Sequence, residues 1–206
     1  MNLNRKKREK QRYKEEILKA SEKIFARKGF HDTTIQDIAK EAEFSVGYIY
    51  NFFKSKEDLY KSLTIHKFDV LINILKNIYL SKNTPKQKLI NIIDSLLNIF
   101  ENDTDFIRIY VRETRGQTWN VKKFLEKDFI KNQKEGQKYI TSIIQDGIKQ
   151  KLFIKANPVD LMLSITGILN AFIIYWIENS ISLSLREKSK IIQDILFKGI
   201  ELKGVK

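Results

Sequence analysis

The chain has 206 residues, no cysteine, two histidines, 38 basic and 25 acidic side chains, and a formal charge of +13. The length allows a substantial core in one domain or two. The lack of cysteine excludes a disulfide framework, a thiol switch and a zinc finger. Net charge alone is a poor guide to partners: residues 1–60 hold 14 basic and 10 acidic side chains, and residues 61–206 hold 24 and 15, so most of the excess is spread along the rest of the chain.

In chain order, the first feature is a basic arm over residues 1–14, with Arg5, Lys6, Lys7, Arg8, Lys10, Arg12 and Lys14. No apolar stretch stands behind it to serve export, which fits a cytoplasmic protein. The arm either enters a minor groove or follows phosphates, or it is a solvated, disordered tail. A helix is expected from about Tyr13 to Lys28, stopping at Gly29. Residues 34–59 then show three helix starts. Thr34 with Asp37 and Ser55 with Asp58 are capping pairs, and Ser45 between them is a lone cap. Two short helices joined by a tight turn have the geometry of a DNA-reading helix-turn-helix.

On a helical wheel of residues 46–54, Val46, Ile49 and Phe53 face Phe44, Ile38, Ala39 and Ala42. The other side shows Gly47, Asn51 and Lys54, flanked by Tyr48 and Tyr50. Phenols, an amide and a glycine suit base edges and phosphates, and glycine lets the backbone approach closely. Packing of the tyrosines on another domain is the alternative.

The stretch from Ile17 to Phe30, followed by Thr34, Asp37-Ile38-Ala39, Ala42, Ser45, Gly47, Ile49-Tyr50, Phe53, Ser55-Lys56-Glu57 and Leu59, resembles the N-terminal domain of TetR-family transcription regulators. The resemblance implies that Thr34 and Ser45 cap helices and touch phosphate. It implies that Val46, Gly47 and Tyr48 face bases, that Tyr50 and Asn51 contact the backbone or a base, and that Lys56 contacts phosphate. Lys54 joins them on the exposed side. The family usually has Gly-Val where this chain has Glu43-Phe44, and often Thr where it has Tyr48. Glu43 is thus expected in a left-handed conformation, and Phe44 where a smaller side chain usually packs.

The remainder reads as helices without strand alternation. A fourth helix from Ser55 to about Leu80 carries an apolar stripe of Leu59, Leu63, Val70, Ile74 and Ile78, with His66 on that side, either packed or coupling body to head. Pro85 opens a fifth helix ending near Glu101. A sixth spans Asp103 to about Gln117, and a seventh Asn120 to Gln150 with a bend near Gly136. Leu152 to Ala156 reads as extended. Asn157-Pro158 opens an eighth helix to about Asn179. Ser184 with Glu187 caps a ninth that ends near Lys203. The expected fold is therefore all-α, about nine helices, divided into the arm (1–14), a three-helix DNA-binding domain (15–59) and a helical regulatory and dimerisation domain (60–206).

The eighth helix is apolar on most sides, but its uncharged run is shorter than about 20 residues, so a buried helix is expected rather than a membrane span. Such a helix needs partners on more than one face. Gly167 and Ala171 share a face and permit a close crossing. The resemblance implies a homodimer through the last two helices, with recognition helices about 34 Å apart on a near-palindromic operator.

The resemblance also implies a small-molecule pocket in the body. Candidate lining residues are Phe106, Tyr110 and Glu113 on the sixth helix, with Trp119, Phe124, Phe172, Tyr175 and Trp176; each is otherwise core, and Glu113 otherwise an internal ion pair. Arg108, Arg112 and Arg115 either meet an anionic ligand or form a solvated face. No cofactor or metal is expected, and no motif supports an enzyme: there is no paired histidine, phosphate-binding glycine loop or Gly-x-Ser-x-Gly. The expected function is a DNA-binding regulator, a repressor released by a small molecule. The alternative is a DNA head that localises a protein-binding body.

Overall fold

The structure, a computed structural model, describes residues 3–115, 119–179 and 184–200, with side chains at 5–109, 131–179 and 184–199. Nine α-helices lie within them: α1 Leu3–Lys28, α2 Ile35–Glu41, α3 Val46–Tyr50, α4 Lys56–Leu80, α5 Pro85–Asn102, α6 Thr104–Arg115, α7 Trp119–Lys149, α8 Pro158–Asn179 and α9 Ser189–Ile200. They form two compact units. Unit one is residues 1–67 with 105–126, and unit two is 68–104 with 127–206. α6 thus belongs with the helix-turn-helix, although the sequence divides the chain near Leu59.

α1 begins about ten residues before the expected start at Tyr13. From Leu3 onward the basic arm is thus the first turns of this helix and not a disordered tail. Its Lys, Arg, Gln and Glu residues are good helix formers. Four-residue spacing also pairs Arg5 with Glu9 (3.0 Å), Arg12 with Glu16 (3.4 Å) and Gln11 with Glu15 (2.8 Å), each pair adding a few tenths of a kcal/mol. The helix ends where expected: Gly29 adopts φ 83° and its N–H returns to the Phe25 carbonyl.

The core of unit one is Ile17, Ile24, Phe25, Ile38, Ile49, Phe53, Leu59, Tyr60 and Leu63, all nearly inaccessible. Phe25 meets Tyr60 edge-on at 4.9 Å. Burying each of the large side chains contributes about 1.5–3 kcal/mol. α6 adds Phe106, Ile107 and Ile109. Beside Phe106, Lys67 Nζ lies 5.7 Å from the ring and 2.6 Å from Glu22 of α1.

In unit two, α5, α8 and α9 pack together through Leu89, Ile92, Ile93, Leu97, Leu161, Ile165, Leu169, Ile173, Trp176, Ile192 and Leu196. Pro85 opens α5 as expected, and Thr84, which the sequence reading does not name, caps it through the Gln87 N–H. The buried stripe of α4 rotates, from Leu59 and Leu63 to Leu71 and Leu75. The expected Val70 and His66 are therefore exposed, because a helix that serves two units presents a different face to each. At Gly136, a Cβ would lie 3.0 Å from Ile72 Cδ1, so this glycine serves a close crossing of α7 over α4. Residues 151–156 form a turn rather than an extended segment. Lys151 takes φ 58°, Leu152 and Phe153 donate to the Gly147 carbonyl, and the Phe153 ring covers Gly147.

Ser184 does not cap the last helix. Its hydroxyl donates to Glu101 of α5 at 3.1 Å, and the chain passes through a 3-10 turn, Arg186–Lys188, before α9. Burial opposes the charge on Glu101, but the Arg186 N–H (2.7 Å), the Ser184 hydroxyl and the Arg186 guanidinium hold its pKa below the ordinary value. The carboxylate thereby ties α5 to α9. The expected end of α9, near Lys203, lies outside the described residues.

Among the described residues, α8 is the one helix long and apolar enough to cross a membrane, with 22 residues and mean hydropathy 1.6. Its inner face is packed by the residues above. Val159, Leu163, Gly167, Ala171 and Tyr175, spaced four apart, form an exposed face. Ile191 and Ile195 of α9 are also exposed.

Candidate nucleic-acid interface

Hydrogen bonds fix where the two short helices begin. Thr34 Oγ1 accepts the Asp37 N–H (3.1 Å), while the Asp37 carboxylate accepts the Thr34 N–H (3.0 Å). This is the reciprocal capping box the sequence predicts. Lys28 at the end of α1 donates to the same carboxylate at 2.7 Å. That hydrogen bond, then those from the Thr34 N–H and hydroxyl, lower the Asp37 pKa from 3.8 to about 2. A folded-state pKa below the unfolded one gives stability that is complete above about pH 4 and lost as pH falls toward 2. Asp37→Asn is expected to lower the melting temperature at neutral pH, with wild type and variant converging between about pH 4 and pH 2. Circular-dichroism melts across that range check it; a gap that stays constant would refute the depressed carboxylate.

After α2, Glu43 adopts φ 57°, the left-handed conformation expected where the family places glycine. Phe44 N–H then bonds to the Ala39 carbonyl at 3.0 Å. Ser45 accepts the Tyr48 N–H (3.1 Å) and starts α3. α3 is shorter than the wheel of residues 46–54 implies, ending at Tyr50 with Asn51 as its cap. Lys54 N–H donates to Asp58, and the Asp58 N–H bonds to Ser55 Oγ, starting α4.

Thr34, Ser45, Gly47, Tyr50, Asn51 and Lys54 are exposed on this end of the unit, and Val46 is half-buried. Tyr50 is 51% exposed. A Cβ at Gly47 would meet no atom of the chain, so nothing in the fold requires glycine there. Tyr48 is different: its ring stacks on Phe44 (5.0 Å), and Tyr13 and Phe52 approach edge-on at 5.9 and 5.4 Å. Tyr13 also meets Phe44 at 5.7 Å. Two of the three departures from the family pattern, Phe44 and Tyr48, thus pack against each other. Sequence reading misses this cluster; its one available signal is Tyr13, four residues before the core residue Ile17.

Lys56 also has a place the resemblance does not imply. Its ammonium donates to the carbonyls of Phe30 (2.8 Å), His31 (3.2 Å) and Thr33 (2.7 Å), and lies 4.6 Å from the centre of the Phe30 ring. Three donors on three acceptors use the group fully. These bonds make Lys56 a staple between the start of α4 and the loop joining α1 to α2.

Of the expected pocket residues, the side chains of Tyr110, Glu113, Trp119 and Phe124 lie outside the described residues, as do those of Arg112 and Arg115. Arg108 is exposed. Phe106 is buried in unit one. In unit two, Trp176 is buried, Phe172 is half-buried and Tyr175 is 65% exposed, on the outer face of α8 rather than toward a cavity. Unit two also has an open cleft of about 410 Å³ lined by Asp94, Ser95, Leu97, Asn98, Arg186 and Ser189, which sequence reading does not anticipate. Among the described residues, no group of His, Asp or Glu side chains has metal-binding geometry.

Two capped helices at a tight turn, with the start of the second open to solvent, define a helix-turn-helix DNA-binding protein. Residues 17–63 match the profile of the bacterial regulatory proteins of the tetR family, and residues 82–200 match the tetracyclin repressor-like C-terminal domain. The chain belongs to the TetR family of transcriptional regulators.

The chain is similar to YerO of Bacillus subtilis (strain 168), an uncharacterized HTH-type transcriptional regulator, with 40% identity over 102 residues, 48% of this chain and 35% of that protein. It thus covers about a third of YerO's length. It is similar along most of its length to the fatty acid metabolism regulator protein of the same organism, at 24% identity over 189 residues, 91% of this chain and 95% of that one. In fold it is similar to the crystal structure of Bacillus subtilis FadR in complex with stearoyl-CoA, with TM-score 0.78 and 23% identity over 90% of this chain and 98% of that one. All three are regulators.

Proposed function

We propose that the protein is a homodimeric cytoplasmic repressor that binds a near-palindromic operator and is released by a fatty acyl thioester. The observation that carries the DNA reading is the open N-terminal face of α3. Gly47, Tyr50 and Asn51 face solvent there, Ser45 and Thr34 cap the two helix starts, and Lys54 adds charge. In this reading, Val46 and Gly47 approach base edges, Tyr50 and Asn51 reach a base or the backbone, and Thr34, Ser45 and Lys54 meet phosphates. Lys56 positions the α1–α2 loop, and Tyr48 holds α1 against α3.

The exposed apolar face of α8, with Ile191 and Ile195 of α9, supports the dimer. Apolar side chains repeated at helical spacing on a surface mark an interaction site. The effector class rests on the near full-length likeness to the fatty acid metabolism regulator and on stearoyl-CoA in FadR. The ligand must favour the DNA-incompetent form, by about 1–3 kcal/mol of coupling, and α4, unbroken from one unit into the other, would carry the change.

The test is titration of stearoyl-CoA into the protein–operator complex, followed by fluorescence anisotropy, with free CoA as control. Release by stearoyl-CoA alone supports the reading. A complex indifferent to acyl-CoA of every chain length removes that effector and leaves DNA binding intact.

A further inference from the structure

The charges on the first turns of α1 are segregated. Residues 5, 9, 12 and 16 share one face, and there Arg5 pairs with Glu9 and Arg12 with Glu16, so that face is neutralised. Lys6, Lys10 and Lys14, four apart, share another face, with Lys7 beside them. Among the described residues, none of these four lysines pairs with a carboxylate. Lys6, Lys7 and Lys10 are exposed.

This unneutralised face is the one joined to the reading helix. Lys10 Nζ lies 5.9 Å from the Phe52 ring centre and Lys14 Nζ 5.8 Å from that of Phe53. Tyr13, on the same side, meets Phe44 and Tyr48. The extension is therefore held against the α3 end of the unit by rings and cation–π contacts. At about 1.5 Å per residue it carries a basic stripe some 15 Å beyond Tyr13.

We propose that these turns of α1 are a second DNA-contacting element, in which Lys6, Lys7 and Lys10 engage phosphates flanking the groove entered by α3. The proposal rests on the DNA-binding reading above and adds an element that reading does not include. Lysines act here as point charges on the backbone, so the element raises affinity for all duplexes without reading sequence.

The experiment measures operator and random-duplex affinities against salt for the full-length protein. For the variant K6Q/K7Q/K10Q, the slope of log K against log salt is expected to fall by at least about two units, at roughly 0.9 for each phosphate no longer neutralised. The ratio of operator to random affinity should be preserved. K6R/K7R/K10R, which keeps the charge, should retain the wild-type slope, as should R5Q/E9Q on the neutralised face. An unchanged slope in the glutamine variant overturns the proposal, as does an equal loss in the arginine variant, which would trace the effect to structure instead of charge. If the wild type itself binds no duplex, the DNA-binding reading fails and this proposal fails with it, a result distinct from a binding wild type and an unchanged variant.

Discussion

Lys56→Met is expected to lower stability by about 2 kcal/mol, the scale of a charge-assisted hydrogen-bond group, while leaving the salt dependence of DNA binding unchanged. Methionine keeps an apolar stem beside Phe30 but removes the ammonium from the carbonyls of Phe30, His31 and Thr33. For a chain of this size, the melting temperature should fall by roughly 5 °C. Lys56 stands at the first position of α4, where the helix dipole disfavours a cation. The three carbonyls offset that cost and lock α4 to the loop that feeds the capping box at Thr34. Operator affinity should fall through looser placement of α2 and α3. A slope lowered by about one unit with an unchanged melting temperature would mean that the lysine leaves its carbonyls for a phosphate.

Gly167→Leu is expected to leave the helical content intact, split the dimer and weaken operator binding by at least about 100-fold, the loss that follows when two linked half-site interactions become one. Within one chain, a Cβ at Gly167 would touch nothing, so the fold does not require this glycine. Leucine would instead stand between two copies meeting along Leu163, Gly167, Ala171 and Tyr175 of α8. Sedimentation velocity at micromolar concentration reads the outcome, with far-ultraviolet circular dichroism as the check on folding. An intact dimer in the variant would move the interface away from this face.

The parts of the fold legible in the sequence are those governed by short-range chemistry. Thr34 with Asp37, Ser45 and Pro85 each signal a helix start through groups within three residues, and all three starts occur. The left-handed turn at Glu43 is readable because the family pattern places a glycine there. Sequence reading fails where a distant partner decides. Ser184 looks like a cap, yet Glu101, 83 residues away, takes its hydroxyl. Lys56 looks like a surface cation until the α1–α2 loop brings three carbonyls to it. The apolar pattern of α4 suggests one stripe, but a helix packed in two units follows two. Charge content leaves the arm open between a DNA contact and a solvated tail and says nothing of helix, whereas the four-residue spacing of Arg5 with Glu9 and Arg12 with Glu16 supports helix.

The most direct test of the account is fluorescence anisotropy of the purified protein on duplexes tiled across the DNA flanking its own gene, with excess competitor at about 0.15 M salt, where nonspecific phosphate attraction is weakened. Tight, saturable binding to one near-palindromic tile is expected, with two chains per site. Weak binding spread evenly over every tile, by a protein that also shows no preference among randomised duplexes, would contradict it.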